Sequence, residues 1–86
     1  MGHMLARLRG VKLDVLREIL ARDAPEHATH GLVLEHLWQN ADDPNEVLFL
    51  FRVRDLDHAR AYVDGLHAEA RRQDPQANLP EMTFLT

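Results

Sequence analysis

An α+β domain with its elements in the order β-α-β-β-α-β is the fold class this sequence predicts, with both helices on one face of a four-stranded antiparallel sheet. Three observations point to it. Residues 46–54 alternate in the two-residue period of a strand, with Val47, Phe49, Phe51 and Val53 on one side and Leu48, Leu50, Arg52 and Arg54 on the other. Two segments, 12–23 and 55–74, carry apolar residues at helical spacing. Between strand-like residues 32–39 and the strand at 46–54 lies Asn40-Ala-Asp-Asp-Pro-Asn45, dense in turn formers, which makes those two strands an antiparallel hairpin.

The elements follow in chain order. Residues 4–9 form a short first strand with Met4, Ala6 and Leu8 on one face and Leu5, Arg7 and Arg9 on the other, ended by Gly10. Leu13, Leu16 and Leu20 then define a helix face that Val15 and Ile19 widen, and Asp14 suits the first turn of the helix. Pro25 is expected to break this helix or to restart it, leaving Glu26–His30 as one further turn closed by Gly31. Residues 32–39 and 46–54 make the hairpin. Asp55 or Asp57 caps the second helix, whose apolar stripe is Ala59, Tyr62, Val63, Leu66 and Ala70, and Asp74-Pro75 ends it. After Pro80, Met82 and Phe84 lie in a short last strand.

Eighty-six residues make one domain, taken as residues 4–86, with Met1-Gly2-His3 read as a cloning remnant before Met4. An apolar fraction of 45 % and a charged fraction of 28 % are those of a globular chain. The net charge of −4 supplies no attraction for nucleic acid or anionic lipid. The chain has no Cys and no Ser, which excludes disulfides, thiolate or serine nucleophiles and zinc ribbons. No apolar run approaches the roughly 18–20 residues that span a bilayer, and no signal-peptide pattern opens the chain, so the expected compartment is the cytoplasm. There is no Gly-rich phosphate loop and no H-E-x-x-H, and no cofactor is implied.

The element order, the Asp-Pro loop within Asn40–Asn45, and the strand Val47–Val53 followed by Asp55-Leu56-Asp57-His58-Ala59 resemble the dimeric α/β-barrel group of ferredoxin-like proteins. That group includes antibiotic-biosynthesis monooxygenases, muconolactone isomerase and YciI-related proteins. The resemblance spans nearly the whole chain from Met4 and implies a homodimer of two sheets packed face to face, with a ligand pocket between the sheet and helices of each subunit. It carries no catalytic residue over to this chain. The residues themselves point to the same dimer. The sheet face away from the helices would carry Leu5, Leu48 and Leu50 among Arg7, Arg52 and Arg54, too apolar a mixture to stand in water, so Leu48, Leu50 and Arg52 are the expected interface, with Glu35 facing Arg52 across the strands.

If Gln39 pairs with Glu46, then Leu34 faces Phe51, His36 faces Phe49 and Trp38 faces Val47. His36, Trp38, Phe49, Phe51 and Tyr62 would then line a recess on the helix side, with His36 as a candidate base and Trp38 as a stacking platform. A core in which these side chains only pack is the other reading, and a one-residue slip would send His36 and Trp38 to the opposite face. His27 and His30, three apart, have the spacing of a metal-binding pair but no third ligand; His58 and His67 read as solvated or capping residues. Two functions are therefore expected in competition: a domain that binds or converts a small planar organic molecule, and a non-catalytic dimerisation or regulatory module with every aromatic in the core.

Overall fold

The computed structural model describes residues 1–86 as β1 (Gly2–Arg9), α1 (Leu13–Thr29), β2 (Leu32–Asn40), β3 (Asp43–Val53), α2 (Leu56–Gln73) and β4 (Glu81–Leu85). The strands form one antiparallel sheet in the order β2-β3-β1-β4. This is the ferredoxin-like α+β fold, with the element order read from the alternation and the two helical stripes.

The alternation of β3 sorts its side chains as the sequence implies. Val47, Phe49, Phe51 and Val53 are all buried, as are Met4 and Ala6 on the neighbouring β1. Leu16 and Leu20 of α1 and Ala59 and Val63 of α2 close the same core from the helix side. Asp55 is the residue that caps α2, its carboxylate accepting from the His58 backbone N–H at 3.1 Å. Gly10 and Gly31, where β1 and α1 end, have φ of 76° and 74°, a region closed to most side chains.

Four expectations change. First, Pro25 neither breaks nor restarts α1, which runs through it to Thr29. A proline deep in a helix costs roughly 3 kcal/mol; here the turn after it is held by the His27 ring meeting the edge of Phe51 at 5.2 Å, and by the Thr29 hydroxyl donating to the Pro25 carbonyl at 3.1 Å. Second, the hairpin connection is not six residues but Ala41-Asp42, because β3 starts at Asp43 and takes Pro44 and Asn45 into an irregularity of the pairing. Third, β1 begins at Gly2, so Gly2 and His3 are strand residues paired with Val53 and Arg52. Gly2 is buried so tightly that a Cβ there would lie 2.5 Å from the Leu85 carbonyl oxygen.

The fourth change relocates the predicted recess. Leu34 does pair with Phe51, but the next pair is His36 with Leu50. Glu35 is thus an extra residue in β2, a bulge that shifts everything after it by one. Leu37 faces Phe49 and Gln39 faces Val47, while Trp38 faces Leu48. His36 and Trp38 therefore lie on the open face with Leu50 and Leu48, away from the helices and from Phe49, Phe51 and Tyr62. The two rings stack on each other along the strand, centroids 4.8 Å apart.

The open face also holds Leu5, Val33 and Leu85. Trp38, Val33 and Leu85 are 47 %, 43 % and 40 % exposed, which makes a broad apolar patch. Its charges are paired within the sheet. Glu35 accepts from His3 at 3.0 Å and lies 3.8 Å from Arg52, and Arg7 lies 3.8 Å from Glu81. Arg54 falls past the end of β3, beside Gly31, and is not part of this face. At the hairpin end the buried Glu46 carboxylate accepts from Arg9 at 2.6 Å and from Asn40 at 2.9 Å, tying β1, β2 and β3 together.

Candidate functional site

Between the helices and the sheet lies a cavity of about 190 Å³, open to solvent on one side beside Leu66. Leu16, Leu20, Asp23 and His27 reach it from α1, at steps of four, three and four residues, which keep them on one side of a helix. Tyr62, Val63, Leu66 and His67 reach it from α2 by the same rule. Phe49 and Phe51 form part of its floor. Of the five predicted pocket residues, the structure brings Phe49, Phe51 and Tyr62 together here and leaves His36 and Trp38 on the other side of the sheet. The polar groups of the cavity are instead His27, His67, Asp23 and the Tyr62 phenol.

His27 meets the edge of Phe51 at 5.2 Å between ring centroids. Burial holds its imidazole below the ordinary range, against the upward pull of Asp23 and Glu26. Burial likewise lowers His67, helped by the positive charge of Arg71. Both rings are thus kept neutral into mildly acidic solution. The hydrogen bonds that histidine side chains make to other side chains belong to His3 with Glu35 and to His30 with His58, and His27 and His67 have no such partner.

His27 and His30, noted for their spacing, take different partners. His27 turns inward, while His30 stacks on Tyr62 at 3.8 Å and its Nδ1 lies 3.0 Å from His58 Nε2. The shared side a metal-binding pair needs is lost, and no group of three or more His, Asp or Glu gathers to hold a metal. His58 and His30 instead tie the end of α1 to the start of α2 on the outside of the cavity. His67 was hidden in plain view: it stands four residues after Val63 and so continues the buried stripe of α2.

These two histidines give the fold an acid sensitivity. Because their folded-state pKa values lie below the unfolded imidazole value near 6.5, the unfolded chain takes up protons that the fold resists. Stability is full above about pH 6.5 and falls as pH drops through the window below it. Glu46, held below its ordinary 4.5 first by its hydrogen bond from Arg9 and then by that from Asn40, adds a second loss below pH 4.5. Melting temperature followed from pH 8 to pH 4 should therefore fall in two steps, and the doubly substituted His27→Phe, His67→Phe chain should lose the upper one. A melting temperature flat between pH 7 and pH 5 would show that neither imidazole is buried neutral.

No family model and no curated protein matches this chain. Among solved structures, it is similar to an uncharacterized NIPSNAP domain protein from Burkholderia xenovorans, at 22 % identity and a TM-score of 0.57, over all of this chain and 93 % of the other. It is similar also to a protein from Agrobacterium tumefaciens, at 14 % identity and a TM-score of 0.57, over all of this chain and 92 % of the other. At these identities the likeness establishes the ferredoxin-like fold across the full chain and nothing finer. No helix of the chain is long and apolar enough to cross a membrane.

Proposed function

We propose that this chain binds a small planar organic molecule between its helices and its sheet, and that it does so as a homodimer joined through the open sheet face, in the manner of a dimeric α/β barrel. One observation carries the ligand reading: an apolar cavity of about 190 Å³ receives an unpartnered imidazole from each helix. Small-molecule sites are concave, mostly apolar and carry a few polar groups, and the recess beneath Tyr62 and Leu66 has that character. Its volume sets the scale of the occupant. An engineered apolar cavity of about 150 Å³ takes up benzene, so one ring with small substituents is the fitting size.

The dimer is supported by the open face. Leu5, Leu48 and Leu50 run through its centre, and Val33, Trp38 and Leu85 extend it to both edges of the sheet. A twofold copy would cover this patch, while the Arg7–Glu81 and Arg52–Glu35–His3 groups, already paired, add little uncompensated charge to the contact.

A thermal-shift series with monocyclic aromatics tests the ligand reading against a module without ligand. A compound that binds only the native state, present at about 100 times its Kd, stabilises by about 2.7 kcal/mol, which in a domain of this size is a rise of roughly 10–20 °C. Leu66→Trp, at a position that lines the cavity and is 48 % exposed, should narrow the mouth and remove that rise without unfolding the chain. A wild-type chain indifferent to every ring compound would leave the dimerisation module as the reading that stands.

A further inference from the structure

We infer that His30 and His58 form a pH-operated clasp between the end of α1 and the first turn of α2, closed while one of the two imidazoles is neutral and open once both are protonated. The device lies outside the recess and stands apart from the ligand reading. His30 Nδ1 is 3.0 Å from His58 Nε2, the distance of a hydrogen bond. The ring planes differ by 16° and the centroids are 5.2 Å apart. That spacing is close to the N···N distance plus the two centre-to-nitrogen radii, so the rings meet end to end, nitrogen to nitrogen. One nitrogen then donates its N–H and the other accepts it. The backbone fixes both partners. His30 is the C-cap residue of α1, its N–H donating to the His27 carbonyl at 3.0 Å before Gly31 turns the chain. His58 gives its backbone N–H to the Asp55 cap. Tyr62 stands four residues after His58, on the same side of α2, and its ring lies on that of His30 with centroids 3.8 Å and planes 15° apart. Tyr62 also lines the recess, so the clasp sets part of its wall.

Histidine is the side chain whose charge changes between about pH 5 and 8. When both rings are protonated, both facing nitrogens are donors, and two positive rings stand at hydrogen-bond distance. The groups around the pair do not replace the lost acceptor. Glu26 faces the other nitrogen of His30, Nε2, at 3.9 Å. The Asp55 carboxylate is engaged by the His58 backbone. Arg54 and the amino-terminal Met1 border Gly31 and bring only positive charge. The Tyr62 phenol, held above its ordinary range by burial and by Glu26 and Asp23, stays neutral, and burial keeps His27 neutral on the inner side of α1. The link is on the surface, so its opening frees Tyr62 while the core stays in place, and it takes little from global stability.

NMR of the aromatic side chains of the full chain, from pH 7.5 down to about pH 5, tests the inference, with circular dichroism alongside to report folding. Tyr62 is the one tyrosine, so its ring signals stand alone. At pH 7.5 they should be displaced by the imidazole on the ring face, and they should move toward the positions of free tyrosine as pH falls. His58→Gln keeps an acceptor oxygen at every pH, so in that variant Tyr62 should hold its place through the same range. His58→Ala should show the released positions already at pH 7.5, and if that chain fails to fold, His58→Gln carries the test alone. Tyr62 signals that stay fixed in the wild-type chain, down to pH 5 or until it unfolds, would overturn the clasp. An equal movement in His58→Gln would overturn it as well, since the cause would then be another titrating group.

Discussion

Leu50→Asp should turn the proposed dimer into a monomer or an unfolded chain. Leu50 sits near the middle of the open face, since β3 is an interior strand and Leu50 is paired with Leu5 on one side and His36 on the other. Its side chain and those of Leu5 and Leu48 are partly exposed on that face. Full burial of an exposed leucine contributes on the order of 1.5–3 kcal/mol, of which these partly covered leucines have only a fraction left to gain, so Trp38, Val33 and Leu85, 47 %, 43 % and 40 % exposed, supply most of the apolar surface that offsets the entropy lost on association. Aspartate removes one such contribution per subunit and places a carboxylate where its twofold mate and Glu35 lie close by, with no unpaired cation at hand. Light scattering should give a dimer mass for the wild-type chain and a monomer mass for the variant, and circular dichroism would separate a folded monomer from an unfolded one. A wild-type chain that remains monomeric at millimolar concentration, or a variant that dimerises as before, would assign the apolar face another role.

Which parts of this fold could be read without coordinates depends on how local their causes are. The strand at Val47–Val53 announces itself because each residue choice reports its own face, and the stripe from Ala59 to Ala70 does so because its helix has no interruption. Pro25 misleads because its cost is local, whereas its compensation comes in part from Phe51 of β3, remote in sequence. The bulge at Glu35 has no local mark. Its neighbours Leu34 and Leu37 must both face the helices, and two such residues three apart fit a strand only with one residue inserted between them. That constraint was present in the sequence. It conflicts with simple alternation, and the alternation sends His36 and Trp38 to the wrong side.

The candidate site was legible in half. The fold indicates a cavity between helices and sheet, and Phe49, Phe51 and Tyr62 follow from their faces. Its imidazoles do not, because His27 lies beyond Pro25, where the first helix was expected to end, and His67 lies among charged residues near the end of α2. Once α1 is continuous, His27 falls eleven residues after Leu16, about three turns further along the same face.

The largest loss of stability within one subunit is expected from Phe51→Ala. Phe51 is 3 % exposed, and its ring meets Phe49 at 5.8 Å and His27 at 5.2 Å, both edge-on. With Leu20, His27 and Leu32 it borders both the cavity beneath the helices and a groove of about 400 Å³ between α1 and β2. Truncating a buried phenylalanine costs about 3–5 kcal/mol, in lost transfer energy and in the void left behind. A chain of 86 residues has in total roughly 4–13 kcal/mol, at about 0.05–0.15 kcal/mol per residue. The variant should therefore lose between about a quarter and all of that stability, with its urea midpoint falling in proportion. Leu34→Ala, directly opposite on β2 but 37 % exposed, should cost less than half as much, because less of its side chain leaves water on folding. Equal losses from the two substitutions would mean that the deeper burial of Phe51 does not set its cost.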